Sequence, residues 1–431
     1  MAMNAIIPVG LLVLLILGGS PIAFALLISG MVGIYMTVGT GPLIGVIQNS
    51  PYEHVASFTL TTLPMFILMA EFLTAGRFTR DIFEAGDRWL RHIKGGMSMA
   101  AVAGGVLLAA VCGSSSAAAG TLASAAYPEM KRLGYAPSFA TASIAIVGTL
   151  AIMIPPSIAF VFYGILTEVS IGKLFLAGII PGLLTGFSYL LVIVLTVRFK
   201  KDAAPERLPK LPMKERVKGL TTIWPILIFF IFMFAGLYSG AVTATEIGAV
   251  GAFLALAFAF IMRRLTMDGF KQALMNSTRN SVMIFTIIIG AGIFGLFLTL
   301  TGLTQGLMTM VQVAEINRWA ILIMVVLLWV VLGFFLEQFA IQVLTVPVAV
   351  PLLMQLGFDP VWIGVLLVKA GEIGVVTPPM GLNVFVVSSV SKVPVGTIFR
   401  GIWPFVLAEV VTLSLIIAFP SLSLWLAQYA P

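Results

Sequence analysis

The residues in this chain that could do chemistry are few, and they gather at breaks in otherwise apolar sequence. Ser114, Ser115 and Ser116 interrupt an apolar run between Gly95 and Met130, and Ala151-Ile152-Met153-Ile154-Pro155-Pro156 interrupts the next run. Neither proline has an N–H to return to the preceding turn, so a helix that reaches this point is broken. A broken helix exposes carbonyl oxygens that lack intrahelical partners, and these, with nearby hydroxyls, suit a small hard cation such as Na⁺. The three serines equally suit close packing of helices in lipid, where small residues let backbones approach. A second break offers Gly374, Thr377 and Pro379 opposite a turn at Phe335 to Glu337.

The two clusters are copies of one another. Leu133-Gly134-Tyr135-Ala136-Pro137 returns as Leu356-Gly357-Phe358-Asp359-Pro360, and Gly148 to Pro155-Pro156 returns as Gly371 to Pro378-Pro379, all 223 positions later. Pro128 pairs with Pro351 at the same spacing, and Val169-Ser170-Ile171-Gly172 resembles Val393-Pro394-Val395-Gly396 after one inserted residue. In a membrane chain, two such halves predict a transporter with its binding site at the repeat interface.

The elements that position these residues must lie in lipid. Hydrophobic residues make up 60% of the chain and charged residues 10%, with a mean hydropathy of +1.11, too little polar surface for a soluble globule. The class is all-α and polytopic. Apolar stretches near 5–38, 56–75, 174–197, 222–240, 244–262, 279–301 and 400–428 are long enough to cross the bilayer, the first being split at Gly18-Gly19-Ser20-Pro21. The first Lys or Arg is Arg77, so the apolar start reads as a retained span rather than a cleavable signal. Arg77 to Lys94 alternates charges with Phe78, Ile82, Phe83, Trp89, Leu90 and Ile93, the pattern of an amphipathic helix on the membrane surface. Gly95–Met130 and Trp319–Met354 are predicted re-entrant hairpins, entering from opposite faces and each followed by a broken helix. Counting five crossings per half gives about ten spanning helices of roughly 20 residues each, and an odd number per half inverts one half against the other.

The net charge of +7 follows from topology rather than nucleic acid. All but three of the 24 Lys and Arg residues fall in blocks between apolar spans, the exceptions being Lys173, Arg318 and Lys369. These blocks place the linker 198–218 in the cytoplasm and both termini outside. One cysteine, Cys112, excludes an internal disulfide, and two histidines leave little for a metal cluster. All five aspartates lie in polar segments, which disfavours a membrane-embedded protease. There is no GxxxxGK[ST] phosphate loop, so energy must come from an ion gradient. Hairpins and broken helices point to alternating access rather than an open channel. No organic cofactor is expected. Glu71, Glu246, Glu337, Glu372 and Glu409 fall within or beside apolar segments, where an ionised carboxylate is costly. Glu337 and Glu372 are candidates for cation coordination or proton coupling, and Lys369 for pairing with Glu372 or for facing a substrate carboxylate. Half-helix N-termini favour an anion, so Ser157, Thr377 and Asn383 are candidate substrate residues.

Over essentially its whole length the chain resembles the large membrane subunit of tripartite ATP-independent periplasmic (TRAP) transporters. The motifs that carry the likeness are CGSSSAAAG at 112–120, GTLAIMIPPS at 148–157, FFLEQ at 334–338 and GEIGVVTPPMGLN at 371–383. The resemblance implies an elevator-type ion transporter fold in a bacterial inner membrane. It also implies Na⁺-coupled uptake of an organic acid such as a C4-dicarboxylate or sialic acid. The expected partners are a periplasmic binding protein that delivers substrate and a small four-helix membrane subunit. Carried over by position, one Na⁺ site comprises Cys112 and Ser114 with Ala151, Ile154 and Pro156. The other comprises Phe335 to Glu337 with Gly374, Thr377 and Pro379. The family often has serine at Cys112 and glycine at Ala151, and a backbone-carbonyl ligand survives both changes. The transport domain is expected at 95–168 and 318–390, with scaffold helices at 1–94, 169–317 and 391–431, the first of these including the arm and the second the linker and a second arm. The alternative is a self-sufficient Na⁺/carboxylate symporter that needs no binding protein.

Overall fold

The computed structural model describes residues 2–206, 209–243, 245–303, 305–306, 309 and 315–430. Every regular element among them is helical. The first half runs α1 (Ala2–Leu17), α2 (Ile22–Val38), α3 (Thr40–Val55), α4 (Thr62–Ala75), α5 (Phe78–Leu90), α6 (Gly96–Cys112), α7 (Ser115–Arg132), α8 (Pro137–Val147), α9 (Leu150–Met153), α10 (Ile158–Thr167) and α11 (Ile171–Phe199). The second runs α12 (Met213–Tyr238), α13 (Glu246–Ile261), α14 (Met267–Thr301), α15 (Arg318–Gly333), α16 (Gln338–Gln355), α17 (Pro360–Gly374), α18 (Leu382–Ser391), α19 (Val395–Ala418) and α20 (Ser421–Ala427). The chain is a polytopic membrane protein of two inverted repeats, each with a hairpin, α6–α7 or α15–α16, followed by a broken helix.

The repeated Leu-Gly-aromatic-x-Pro segment has a mechanical reason. Gly134 and Gly357 lie at φ 84° and 85°, where a side chain is strained. There each ends a hairpin arm: the Tyr135 N–H reaches back to the Met130 carbonyl at 3.0 Å, and the Phe358 N–H to that of Leu353 at 3.1 Å. Pro137 and Pro360 then open the next helix, where their missing N–H costs nothing. Helices α7 and α16 match end for end at 223 positions, whereas α11 and α19 begin 224 apart, as the inserted residue requires.

The halves differ on the outer side. The single 35-residue α14 of the second half takes the positions of α3 and α4 in the first. Helix α3 was not expected, because its apolar residues form no continuous run; Pro42 in its first turn suits a helix start. The break at Gly18 to Pro21 is where sequence placed it. By length and apolarity six helices among the described residues can cross a membrane, or seven if the bent pair Pro137–Met153 and Ile158–Thr167 counts as one. This is fewer than the expected count of about ten crossings, and apolar helices such as α2 and α13 fall short of that length.

Helix α5 is amphipathic, but its apolar face is covered by protein. Phe78, Ile82 and Phe83 are buried, and α5 packs on α6 and α12. Trp89 Nε1 donates to the Arg216 carbonyl at 3.0 Å, and the Arg216 guanidinium lies 4.2 Å from the Trp89 ring centre. Asp81 pairs with Arg264; burial raises its carboxyl above the ordinary value and the arginine pulls it partly back. The first arm is thereby fastened to the second repeat. The second arm falls largely outside the described residues.

Candidate functional site

The two hairpin tips occupy matching places in the repeats and are built differently, in backbone as well as in side chains. In the first, Gly113 takes a left-handed conformation at φ 58°, and a Cβ there would meet Ile158 Cδ1 at 2.6 Å. Ser114 follows in an extended conformation as N-cap of α7, its hydroxyl accepting from Ala117 N–H at 3.5 Å. The second tip turns through Phe334 to Glu337, and Glu337 is the N-cap of α16 without a side-chain capping bond. Ser114 and Glu337 are thus the same position, 223 residues apart.

Behind the tips lie the breaks. The chain leaves the helix between α9 and α10 at residues 154–157, and between α17 and α18 at residues 375–381. The peptide bonds preceding Pro156 and Pro379 are both cis. Gly374 backs directly onto the second hairpin, since a Cβ on it would lie 2.4 Å from Gly333 Cα.

Both tips border one recess of about 30 Å³, lined by Gly113, Ser114, Ser115 and Ser116 with Ile152 of α9, just ahead of the first break, and by Glu337, Gln338 and Phe339 with Val375 and Leu382, which flank the second break. It adjoins a cavity of about 450 Å³ whose far wall is Glu71 on α4 and Asn280, Met283 and Ile284 on α14. Ser114, Ser116 and Glu337 line both spaces. A larger space of about 740 Å³ lies between α5 and the far end of the first hairpin, among Arg77, Arg80, Arg91 and Arg132 with Glu84, Asp87 and Glu129. It touches neither break, and the smaller pair of cavities is the candidate site.

Of the predicted ligands, Ser114 and Glu337 reach these cavities. Ala151, Ile154 and Pro156 are buried around the first break, and Pro156 faces α12 and α13 beside Met233 and Ile247. The Cys112 side chain lies outside the described residues. Phe335 is 57% exposed and lines neither cavity. The three candidate substrate residues are engaged with protein. Ser157 Oγ donates to the Ile152 carbonyl at 2.5 Å and caps α10 by accepting from Phe160 N–H at 3.3 Å. Thr377 Oγ1 donates to the Ile373 carbonyl at 2.5 Å. Asn383 joins the two halves: its Oδ1 accepts from Ser115 Oγ at 2.7 Å and its Nδ2 donates to the Ala145 carbonyl at 3.3 Å. Pro379 and Gly374 border neither cavity.

Gln338 was missed. It is 5% exposed, lines the recess, and neither atom of its amide has a hydrogen-bond partner among the described residues. The available signal was the repeat itself, which pairs Gln338 with Ser115, the middle residue of the first tip's serine run.

A separate polar cluster lies inside the bundle. Lys369, Glu372 and Glu409 are fully buried. The Lys369 ammonium lies 3.2 Å from Glu372 Oε2, contacts Glu409 and donates to Thr185 Oγ1 at 2.7 Å. Lys369 therefore pairs with glutamates and lines neither cavity. The repeat mates of Lys369, Glu372 and Glu409 are Ile146, Thr149 and Thr185, so every charge in the cluster comes from the second half.

Two inverted repeats, each giving a hairpin tip and a broken helix to one cavity within the membrane, define a secondary-transporter fold. The YdaH transporter of Alcanivorax borkumensis has the same fold, with a TM-score of 0.68 at 13% identity over 91% of both chains. The family model of the tripartite ATP-independent periplasmic transporter DctM component matches residues 9–422, and the chain belongs to that family. It is 34% identical to the C4-dicarboxylate TRAP transporter large permease protein DctM of Pseudomonas aeruginosa over 88% of each chain. It is 31% identical to the sialic acid TRAP transporter large permease protein SiaM of Vibrio cholerae over 96% of each. It is a transporter component and not an enzyme.

Proposed function

We propose that this chain is the large permease of a three-part importer. It carries an organic acid, of the class to which C4-dicarboxylates and sialic acid belong, across a bacterial inner membrane on a Na⁺ gradient. A periplasmic binding protein delivers the acid, and a small membrane subunit flanks the scaffold. The observation that carries the reading is that both hairpin tips meet the helices flanking both breaks around one recess, because ions held by the tips and by the carbonyls freed at the breaks would fix the walls of that recess and of the adjoining cavity. Ion and solute are then reciprocally coupled: each raises the affinity of the other by the same factor. The basic linker 198–218 faces the cytoplasm in this scheme.

The motion is of elevator type, with the two hairpins and broken helices moving as one body. The Lys369 cluster ties α17 to α11 through Thr185 and to α19 through Glu409. Helices α11 and α19 therefore travel with the hairpins in this scheme, in place of the scaffold position expected from sequence. The test is uptake of labelled acids into proteoliposomes containing this chain and its small partner. Uptake that needs both Na⁺ and the binding protein supports the proposal. Na⁺-driven uptake by this chain alone means an autonomous symporter, and ion-independent currents mean a channel.

A further inference from the structure

The charge of the 450 Å³ cavity bears on which acids it accepts, an inference that rests on the transport reading and deepens it. The charged residues on its walls are Glu71 and Glu337, with no Lys, Arg or His among them. Neither glutamate enters an ion pair among the described residues. A Na⁺ at the tips would offset Glu337. Glu71 stands on the opposite wall, on α4, held by Asn276 Nδ2 at 3.1 Å through one oxygen, and nothing described offsets its charge. A dianion confined in this space would face a fixed carboxylate with no cationic side chain to balance it.

The opposite end also carries Glu337, and once a Na⁺ at the tips offsets that charge its remaining polar groups are hydrogen-bond donors. Gln338 lines the recess beside Ser114 and Ser116, and its buried amide, which lies against Gly371, has no hydrogen-bond partner among the described residues. A buried amide without partners is costly unless a ligand supplies them. Its N–H groups and the two hydroxyls are donors for a carboxylate, and α7 and α16 both begin here, so their positive dipole ends add to the attraction.

We propose that the solute is a zwitterion: its carboxylate is held in the recess by Gln338, Ser114 and Ser116, and a cationic nitrogen faces Glu71. Glu71 is the residue that sets the charge preference, selecting ammonium or amidinium carboxylates over dicarboxylates of the same length.

The test is calorimetric binding to the purified complex of this chain and its small subunit in saturating Na⁺. The probes are 4-aminobutyrate and ectoine, which are zwitterions, succinate, which matches 4-aminobutyrate in length, and sialic acid. The expected result is that a zwitterion binds most tightly. Glu71→Gln should weaken it by about tenfold, as loss of a charge-assisted contact does, and leave succinate unchanged or tighter. This variant keeps the bond to Asn276, so folding should survive. Gln338→Glu, nearly isosteric, should abolish binding of all four. Tighter binding of succinate or sialic acid than of both zwitterions, or a Glu71→Gln variant that binds zwitterions as well as the wild type, overturns the inference and leaves the importer reading standing. Failure of Na⁺- and binding-protein-dependent uptake for every probe that binds overturns the importer reading instead.

Discussion

The two hairpins share second arms of the same length and register and divide the chemistry unequally. In the first half, polar groups are satisfied within the protein: Ser114 caps its own helix, and Ser115 is bonded to Asn383. In the second half the equivalent groups are left open or charged. Glu337 caps nothing, Gln338 has no partner, and Lys369, Glu372 and Glu409 stand where the first half has Ile146, Thr149 and Thr185. Inverted symmetry thus governs where helices stop and start, whereas ligand recognition and internal charge come from departures from it. The comparison can be attacked residue by residue by making one half more like the other.

The largest effect is expected at the buried ion cluster. Lys369→Ile copies the first half's residue but strands two carboxylates that pair with no other cation among the described residues, and breaking such a pair costs about 3–5 kcal/mol. The triple variant K369I/E372T/E409T copies all three first-half residues and removes the charges together, so it should recover most of that loss. Thermal unfolding of the purified chain in detergent, followed by loss of monodisperse protein, reads both. A single variant as stable as the wild type, or a triple variant no better than the single, would show that the cluster is not the electrostatic joint described here.

The glycines beneath the second hairpin arms come next. A Cβ on Gly148 would meet Ala119 Cβ and the Ser115 carbonyl, both at 2.7 Å, whereas at Gly371 it would meet the Gln338 side-chain oxygen at 2.0 Å. Backbone cannot yield as an amide end can, so Gly148→Ala should cost about 1–3 kcal/mol and Gly371→Ala less, despite the closer approach there. Instead, Gly371→Ala should displace Gln338 and show its main loss in solute binding. The reverse order of stabilities would mean that Gln338 is wedged and not free to move.

Ser115 and Gln338 give a smaller and opposite pair. Ser115→Ala leaves the buried Asn383 Oδ1 without its donor, a loss of about 1–2 kcal/mol by the cost of an unsatisfied buried group. Gln338→Leu removes an amide that has no partner, so stability should hold or rise while carboxylate binding is lost. Equal destabilisation by the two would show that Gln338 makes a structural bond in the native membrane.

Much of this architecture was legible in the sequence, because its causes are local. A left-handed glycine followed by a proline stops one helix and starts the next wherever it occurs, so the duplicated Leu-Gly-aromatic-x-Pro segment revealed the hairpin ends, and Pro155-Pro156 and Pro378-Pro379 revealed the breaks. Helix α3 escaped because hydropathy does not mark a short helix of mixed polarity. The site was only half legible for a different reason. Ser157 and Asn383 occupy the expected helix starts, but which way a polar side chain turns depends on partners far along the chain, such as Ser115 for Asn383. The meeting of Lys369 with Thr185 and Glu409 depends on how the repeats pack together, and spacing along the chain does not encode that contact.

The smallest effect expected separates the two N-cap positions themselves. Ser114 offers a neutral hydroxyl that is partly engaged by Ala117 N–H, whereas Glu337 offers a full charge with no capping duty. If both tips bear on Na⁺, removing the charge of Glu337 and the hydroxyl of Ser114 takes away unequal amounts of attraction. Glu337→Gln should weaken Na⁺ activation of uptake by about tenfold, since charge-assisted contacts are roughly twice as strong as neutral ones, and Ser114→Ala by only a few-fold. The Na⁺ concentration for half-maximal uptake, measured at saturating solute, reads the difference. Equal shifts would mean that backbone carbonyls at the breaks hold the ions without help from either cap. A larger shift for Ser114→Ala would move the principal cation site to the first tip, and the second tip's open polar groups would then belong to the solute alone.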